Sequence, residues 1–497
     1  MQPMLGVDIG TTSTKVVLYN ANGQVAASAN HGYPLHQDLP GMAEEDPAAI
    51  FTAVLTGIQA VIPQAKQPIG GISFSAAMHS LILLDDAHQP LTRMYTWADN
   101  RAKAAADQLR ALPQAHQLYL NTGTPIRPMT PLAKLAWLAQ TNPDLLAKTR
   151  WVVDIKSYVI YQLTGQLVMD YSIANATGLF NLHAFDWDPL ALKLAHIQAE
   201  QLPKLVDTTA QVIGLNPAFA TKWQLNPQTP LIVGASDGCL SNLGVNAIEP
   251  GVAALTIGTS GAIRVVTDQP QLDPKGRLFC YYLAPNRWVV GGPVNNGGNV
   301  LKWVRDAFFD GADYATITQL ASQVPAGSHG LLMHPYLNGE RAPLWNANAR
   351  GAYFGLTAQH TRADLSRAAL EGIGFNLVQV AELVQQLTGP FKSLQATGGF
   401  ANSATWRQLL ADIFATPLII PDSFESSCLG AAVLGWVSLD QLTDLTAVAK
   451  LVGHKQVVTP NAKAVATYQR LYPIYQDLTT AYQPLFEQLA AFTTKKD

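Results

Sequence analysis

The chain has 497 residues, 48% hydrophobic and 13% charged, with a formal net charge of −3. That length suits roughly two to four domains with large buried cores, and the near-neutral balance excludes an electrostatic argument for nucleic acid or an anionic membrane surface as partner. Cys239, Cys280 and Cys428 are too few and too scattered for a disulfide framework or a zinc site, and with no basic-then-apolar leader and no apolar run of about 18 residues the chain reads as a soluble, cytoplasmic α/β protein that neither crosses nor docks on a membrane.

The first element is a strand over Met4-Leu5-Gly6-Val7-Asp8-Ile9. A tight polar turn follows, Gly10-Thr11-Thr12-Ser13, then a second strand through Val16-Val17-Leu18-Tyr19 and an Asn22-Gly23 hairpin turn. Gly10 lets the backbone approach a ligand, and successive N–H groups with hydroxyls form a concave anion seat. Asp8, at the strand end, is placed to face a metal or a phosphate-linked water. The turn suggests nucleotide phosphate binding without a Walker loop, since no G-x-x-x-x-G-K-[ST] occurs. An ordinary hairpin whose Asp and Thr satisfy a turn is the alternative.

Further along, residues 69–75 read as a strand ending in small residues, and 131–139 as a helix with Pro131 in its first turn. Residues 151–163 are mixed apolar structure. Asn175-Ala176-Thr177 matches a glycosylation acceptor but is read as incidental in a cytoplasmic chain. Residues 230–236 form a buried strand running into Asp237-Gly238. Residues 365–387 are a long helix with an apolar stripe, 406–414 another helix, and 429–437 a small-residue helix suited to close packing.

One echo organises the chain. Residues 5–17 resemble residues 254–266, with Ile257-Gly258-Thr259-Ser260-Gly261 at the second turn. Both copies read as strand, Gly-Thr turn, strand. A duplicated unit facing its twin across a cleft follows, with a boundary at residues 247–251; chance similarity of two Gly-Thr hairpins is the alternative.

Asp237 is the most chemically pointed residue. A carboxylate at the end of a buried strand, before Gly238 and a helix, suits a general base with a tuned pKa; a helix N-cap role is the alternative. Gly398-Gly399 with Asn402 forms a turn that lets an adenine or ribose approach the backbone, and residues 291–298 form a similar glycine turn of open role. Met78-His79 after a strand, and Trp97, Asp99 and Arg101 in one short turn, resemble a polyol or sugar-acid site, a flat apolar wall with several hydrogen-bonding groups. The alternatives are a structural His and a surface ion pair.

Taken together, these segments resemble the FGGY carbohydrate kinases, within the actin/Hsp70/hexokinase-like ATPase superfamily. The likeness runs almost end to end. It includes Pro131, Lys134 and Trp137 in a Pro-x-x-Lys-x-x-Trp run, residues 335–343 (Pro-Tyr-Leu-Asn-Gly-Glu-Arg-Ala-Pro), residues 349–356, and Gly398-Gly399 before residues 406–412. The resemblance implies duplicated ribonuclease H-like α/β domains facing a central cleft. Residues 1–247 would carry the sugar site, the first phosphate hairpin and the catalytic Asp, and residues 248–497 the second hairpin and the adenosine site.

The resemblance also implies the chemistry. Asp237 would be the catalytic base for a phosphoryl transfer from ATP. Gly10, Thr11 and Thr12, with Gly258 and Thr259, would grip the phosphates, and Asp8 would hold Mg²⁺. Gly398, Gly399 and Asn402 would line the adenosine pocket. Met78, His79, Trp97, Asp99 and Arg101 would meet the sugar. Residues 73–79, 96–101 and 122–131 are most similar to gluconate kinases, which implies a small-molecule sugar acid as acceptor, phosphorylated on its terminal hydroxyl. Xylulose kinases carry related Met-His and Trp-x-Asp-x-Arg segments, and Arg127 stands where many gluconate kinases have His. Arg101, Arg127 or Lys134 could supply the cation that a gluconate carboxylate needs. A homodimer is compatible with this reading. A sugar sensor or a chaperone on the same fold would need an appended DNA-binding or peptide-binding domain, for which little chain is expected outside the two repeats.

Overall fold

The computed structural model describes residues 1–422 and 426–494. The chain forms two compact units. The first holds Met1–Asn246, Thr267–Val289 and Glu425–Val452; the second holds Ala247–Val266, Val290–Phe424 and Gly453–Asp497. The chain thus passes between units five times, first after Asn246.

Unit 1 is built on six strands: β1 (Met4–Ile9), β2 (Ser13–Tyr19), β3 (Val25–Gly32), β4 (Gly71–Ala76), β5 (Gln211–Val212) and β6 (Leu231–Ser236), in the order β3-β2-β1-β4-β6-β5. β1 runs antiparallel to β2 and parallel to β4, with Asp8 opposite Lys15 and Ser75. The central strands are apolar on both faces, as parallel strands covered by helices must be. Leu5, Val7, Ile9, Ile72, Phe74, Leu231 and Val233 are all fully buried in one core.

The 18-residue stretch Pro47–Gln64 is long and apolar enough to cross a membrane by length and composition, which corrects the expectation of no such run. It forms a helix, Pro47–Val61, capped by Asp46. Ile50, Val54, Ile58 and Val61 recur at helical spacing and enter the core below the sheet.

The helix Ser426–Ser438 returns to unit 1, and its small residues do what their size suggests. A Cβ on Gly430 would stand 2.1 Å from Leu240 O, and one on Gly244 would stand 1.8 Å from Ser426 O. The backbones of this helix and of Asp237–Gly244 therefore touch. A Cβ on Gly6 of β1 would likewise stand 2.3 Å from Cys428 O.

Unit 2 repeats the pattern. Its strands are β7 (Val252–Ile257), β8 (Gly261–Thr267), β9 (Arg287–Val294), β10 (Ser393–Thr397), β11 (Leu418–Pro421) and β12 (His454–Val458), in the order β9-β8-β7-β10-β11-β12. As in unit 1, the first strand pairs antiparallel with the second and parallel with the next strand inward, and an antiparallel edge strand closes the series. The hairpin echo is thus part of a larger repeat, although the edge strand precedes its neighbour in the chain in unit 1 and follows it in unit 2. The long helix Arg362–Thr388 opens with a reciprocal Thr361–Asp364 cap and is buried along most of its length. The helix Ala462–Thr494, with Pro473 and Pro484 inside it, was not anticipated.

Candidate active site

Each unit carries one half of the expected constellation. On unit 1 the β1–β2 turn is fixed from several sides. Gly10 N–H donates to Ser13 O at 3.0 Å, and Tyr33 N–H to Thr12 O at 3.2 Å. The Tyr33 hydroxyl donates to Gly10 O at 2.5 Å. Burial pushes the Tyr33 phenol well above its usual range, so it stays a donor. Asp8 accepts from Ser75 Oγ at 2.7 Å, the contact that its register opposite Ser75 allows. Thr12 is exposed and Thr11 half-buried.

Asp237 opens the helix after β6. The strand bulges between Ile232 and Ala235, with Gly234 at φ +73°. A Cβ on Gly234 would fall 1.7 Å from Phe74 O, so the position admits glycine alone. The strand end is then pinned. Lys156 Nζ donates to Ala235 O at 3.0 Å and pairs with Asp170 at 2.8 Å, both side chains buried. Ser236 N–H donates to Ser172 Oγ at 3.2 Å. The half-buried Asp237 accepts Gly238 N–H at 2.7 Å, which holds its carboxylate at the first turn.

The expected acceptor side is a second wall of unit 1. His79 sits in the left-handed region, φ 67°. Its Nδ1 lies 2.7 Å from Ala176 O; a carbonyl only accepts, so Nδ1 carries the proton and Nε2 is the acceptor in the neutral ring. Met78 and Trp97 are half-buried. Lys134 is fully buried and donates to His79 O at 2.9 Å and Thr96 O at 2.7 Å. It staples the Met78-His79 segment to the Trp97 turn, and burial pulls its pKa down to about 7. Asp99 is fully buried, accepting Ala43 N–H at 3.0 Å and Arg101 Nε at 3.0 Å. Arg101 also pairs with Glu44 and lies over the rings of Tyr95 and Trp137. Asp99, Arg101 and Lys134 therefore build the turn that carries Trp97. Arg127 is half-buried, and burial lowers its pKa to about 9.

On unit 2 the β7–β8 turn packs against the glycine turn at 291–298. Gly298 N–H donates to Gly258 O at 2.7 Å, and Asn299 N–H to Thr259 O at 3.1 Å. A Cβ on Gly297 would stand 2.6 Å from Ser260 O. Gly398, at φ +98°, lies under Ile257 O, where a Cβ would come within 2.4 Å. Beside these turns is a cavity of about 860 Å³ whose walls include Gly258, Thr259, Gly399, Asn402 and Trp406. Gly258, Thr259, Gly399 and Asn402, expected on phosphate or adenosine, are thus gathered in one pocket.

Sequence reasoning missed two parts. Tyr314 and Gln319, from the helix Tyr314–Ser322, also line this cavity; nothing local in their segment marks them. Glu340 lies in the 335–343 segment, where its role had no sequence signal. It is buried and accepts from Asn295 N, Arg341 N and the side-chain amides of Asn296 and Asn376. The Asn175 sequon is buried, its amide donating to Thr122 O at 2.6 Å.

Comparison with known proteins fits both halves. Residues 3–244 match the N-terminal domain of the FGGY family of carbohydrate kinases, and residues 253–439 its C-terminal domain. The chain is 46% identical to a gluconokinase of Bacillus subtilis (strain 168), over 98% of each chain. A solved gluconate kinase from Lactobacillus acidophilus superposes with a TM-score of 0.95 at 40% identity, over 98% of this chain and 99% of the other. A ligand-bound structure described as xylulose kinase, from the same organism, has the same TM-score and identity, over 98% of this chain and 100% of the other. This chain belongs to the FGGY family of carbohydrate kinases and is a phosphotransferase with an alcohol as acceptor.

Proposed function

We propose that the protein transfers the γ-phosphoryl group of ATP to the terminal primary hydroxyl of D-gluconate, forming 6-phosphogluconate. The observation that carries this reading is its full-length similarity to a gluconokinase. Asp237 takes the proton from the hydroxyl as that oxygen attacks the γ-phosphorus. Such a transfer passes through a loose, highly charged transition state, so positioning and electrostatics dominate. Gly10, Thr11 and Thr12, with Gly258 and Thr259, hold the phosphates by backbone N–H groups and hydroxyls. Gly398, Gly399 and Asn402 shape the adenosine pocket. Met78, His79 and Trp97 meet the acceptor, and Asp99 and Arg101 hold the turn behind it. Arg127 is the cation proposed for the gluconate carboxylate, which a guanidinium fork can grip with two parallel hydrogen bonds.

Asp8 suits Mg²⁺. It is a hard oxygen ligand oriented by Ser75, and Mg²⁺ commonly takes one or two carboxylates and fills its shell with phosphate and water. Among the described residues no group of three or more His, Cys, Asp or Glu could hold a metal alone, which fits an ion brought with the nucleotide. The bound ion would neutralise charge building on the phosphates.

D-Xylulose is the second reading, favoured by the equal superposition on a structure described as xylulose kinase. Both acceptors are open-chain; only gluconate carries a charge. A coupled assay with gluconate, xylulose, ribulose and glycerol separates them. Gluconate should exceed xylulose in kcat/KM by more than about tenfold, a discrimination that one well-placed ion pair can supply. Arg127→Met should cut gluconate turnover more than xylulose turnover. A higher kcat/KM for xylulose transfers the proposal to the pentulose.

Asp237→Asn should lower kcat by about 10²–10⁴-fold, the usual worth of a general base, while the dissociation constant for an ATP analogue stays as in wild type. Turnover within tenfold of wild type removes Asp237 from that role.

A further inference from the structure

Trp97 and Thr11 lie 86 positions apart, yet the indole Nε1–H donates to Thr11 Oγ1 at 2.8 Å. One residue belongs to the acceptor wall and the other to the phosphate turn. An indole nitrogen only donates, so the direction of this bond is unambiguous. Thr11 uses a lone pair to receive it, and the Thr11 proton is then directed toward another acceptor.

Both ends of the contact are fixed. Thr96, next to Trp97, donates its N–H and its hydroxyl to Ala43 O and receives Lys134 Nζ on its own carbonyl. Asp99, two residues on, is held by Ala43 N–H and by Arg101. Thr11 is flanked by Gly10 and Thr12, whose carbonyls receive the Tyr33 hydroxyl and N–H. The indole therefore meets Thr11 as one rigid part meeting another.

We infer that Trp97 is a positioning residue for the nucleotide: its indole N–H orients the Thr11 hydroxyl so that the Thr11 proton is presented to a phosphate oxygen. The inference rests on the reading of residues 10–12 as a phosphate seat. It also gives the acceptor wall a direct handle on the phosphate seat within a single unit. An acceptor packed on the indole bears on the orientation of a phosphate ligand, and by linkage a bound nucleotide bears equally on acceptor affinity.

The test uses the full-length chain and a non-hydrolysable ATP analogue, with no acceptor present. Trp97→Phe keeps the ring face and removes the donor. It should weaken analogue binding roughly three- to tenfold, the worth of one such hydrogen bond. Thr11→Val removes the acceptor atom, and Thr11→Ser keeps it. Trp97→Phe should cost nothing further in the Thr11→Val background and the full factor in the Thr11→Ser background, a coupling that a double-mutant cycle isolates. Equal losses in both backgrounds, or no loss in the wild-type background, overturn the inference.

Thermal melts check that each variant is folded. Should Trp97→Phe fail to fold, the indole ¹⁵N–¹H resonance of Trp97 in the wild-type chain gives a second reading. It should shift when the analogue binds, and the shift should vanish in Thr11→Val; an unmoved resonance overturns the inference. Because no acceptor is present, the result is independent of which sugar is phosphorylated. If the acceptor assay finds no turnover at all, the functional reading fails while the binding cycle still decides on Trp97.

Discussion

Glu45 is fully buried, and neither carboxylate oxygen has a hydrogen-bond partner among the described residues. Burial pushes its pKa up to about 8, from 4.5. The folded chain therefore binds a proton between these values that the unfolded chain releases. Its contribution to stability is complete below pH 4.5 and is lost as pH rises through 8. Glu45→Gln removes this dependence. Urea denaturation at pH 5 and pH 8 should show wild type losing at least about 1 kcal/mol relative to Glu45→Gln, with a ceiling of about 4 kcal/mol over those three pH units. A constant difference between the two proteins would count against a proton held by Glu45. At the same scale, the sequence revealed residue types better than their partners. Asp99 and Arg101 were legible as a charged cluster next to Trp97, but Glu44, which completes their network, lies 57 positions from Arg101. Lys134 shows the same limit. A lysine inside Pro-x-x-Lys-x-x-Trp looks available to an anionic sugar until the fold closes two carbonyls over it.

At the scale of elements, the Gly-Thr hairpins were legible because their constraint is local. A strand, a tight Gly-Thr turn and a second strand must be adjacent in the chain. The buried strand into Asp237 was legible for the same reason, although Gly234 could not be assigned its bulge without Phe74 O beside it. The glycine turn at 291–298 illustrates what was hidden. It is fixed by Glu340, which gathers Asn295 and Asn296 from that turn, Arg341 from its own loop and Asn376 from the long helix. The turn in turn carries Gly298 and Asn299 onto Gly258 and Thr259. No periodicity marks a carboxylate whose four donors come from its own loop and two distant segments. The helix Ala462–Thr494 was hidden differently, because Pro473 and Pro484 interrupt the pattern that ordinarily identifies a helix.

At the scale of the whole molecule, the duplication shows in the sheets: in both, the first strand pairs antiparallel with the second and parallel with the next strand inward, and an antiparallel edge strand closes the series, although that edge strand precedes its neighbour in the chain in unit 1 and follows it in unit 2. The sequence suggested the repeat from thirteen residues, but could not show that the chain returns to unit 1 after completing most of unit 2. This return has a physical consequence. The helix Ser426–Ser438 packs its backbone on Asp237–Gly244 through Gly244 and Gly430 and on β1 through Gly6. It also buries Leu434 and Trp436, and the Trp436 indole donates to Gln2 O at 2.7 Å. A fragment of residues 1–247 would expose that face of β1 and of the helix that starts at Asp237, and would leave glycines where a helix backbone should lie. Such a fragment should lack a cooperative thermal transition and bind a dye that reports exposed apolar surface, as loosely packed states do. Adding residues 426–452 through a flexible linker should restore part of the transition, because the cost of closing the new loop grows only slowly with its length. A sharp melt from the 1–247 fragment alone would mean that the returning helix is not needed to complete the core of unit 1.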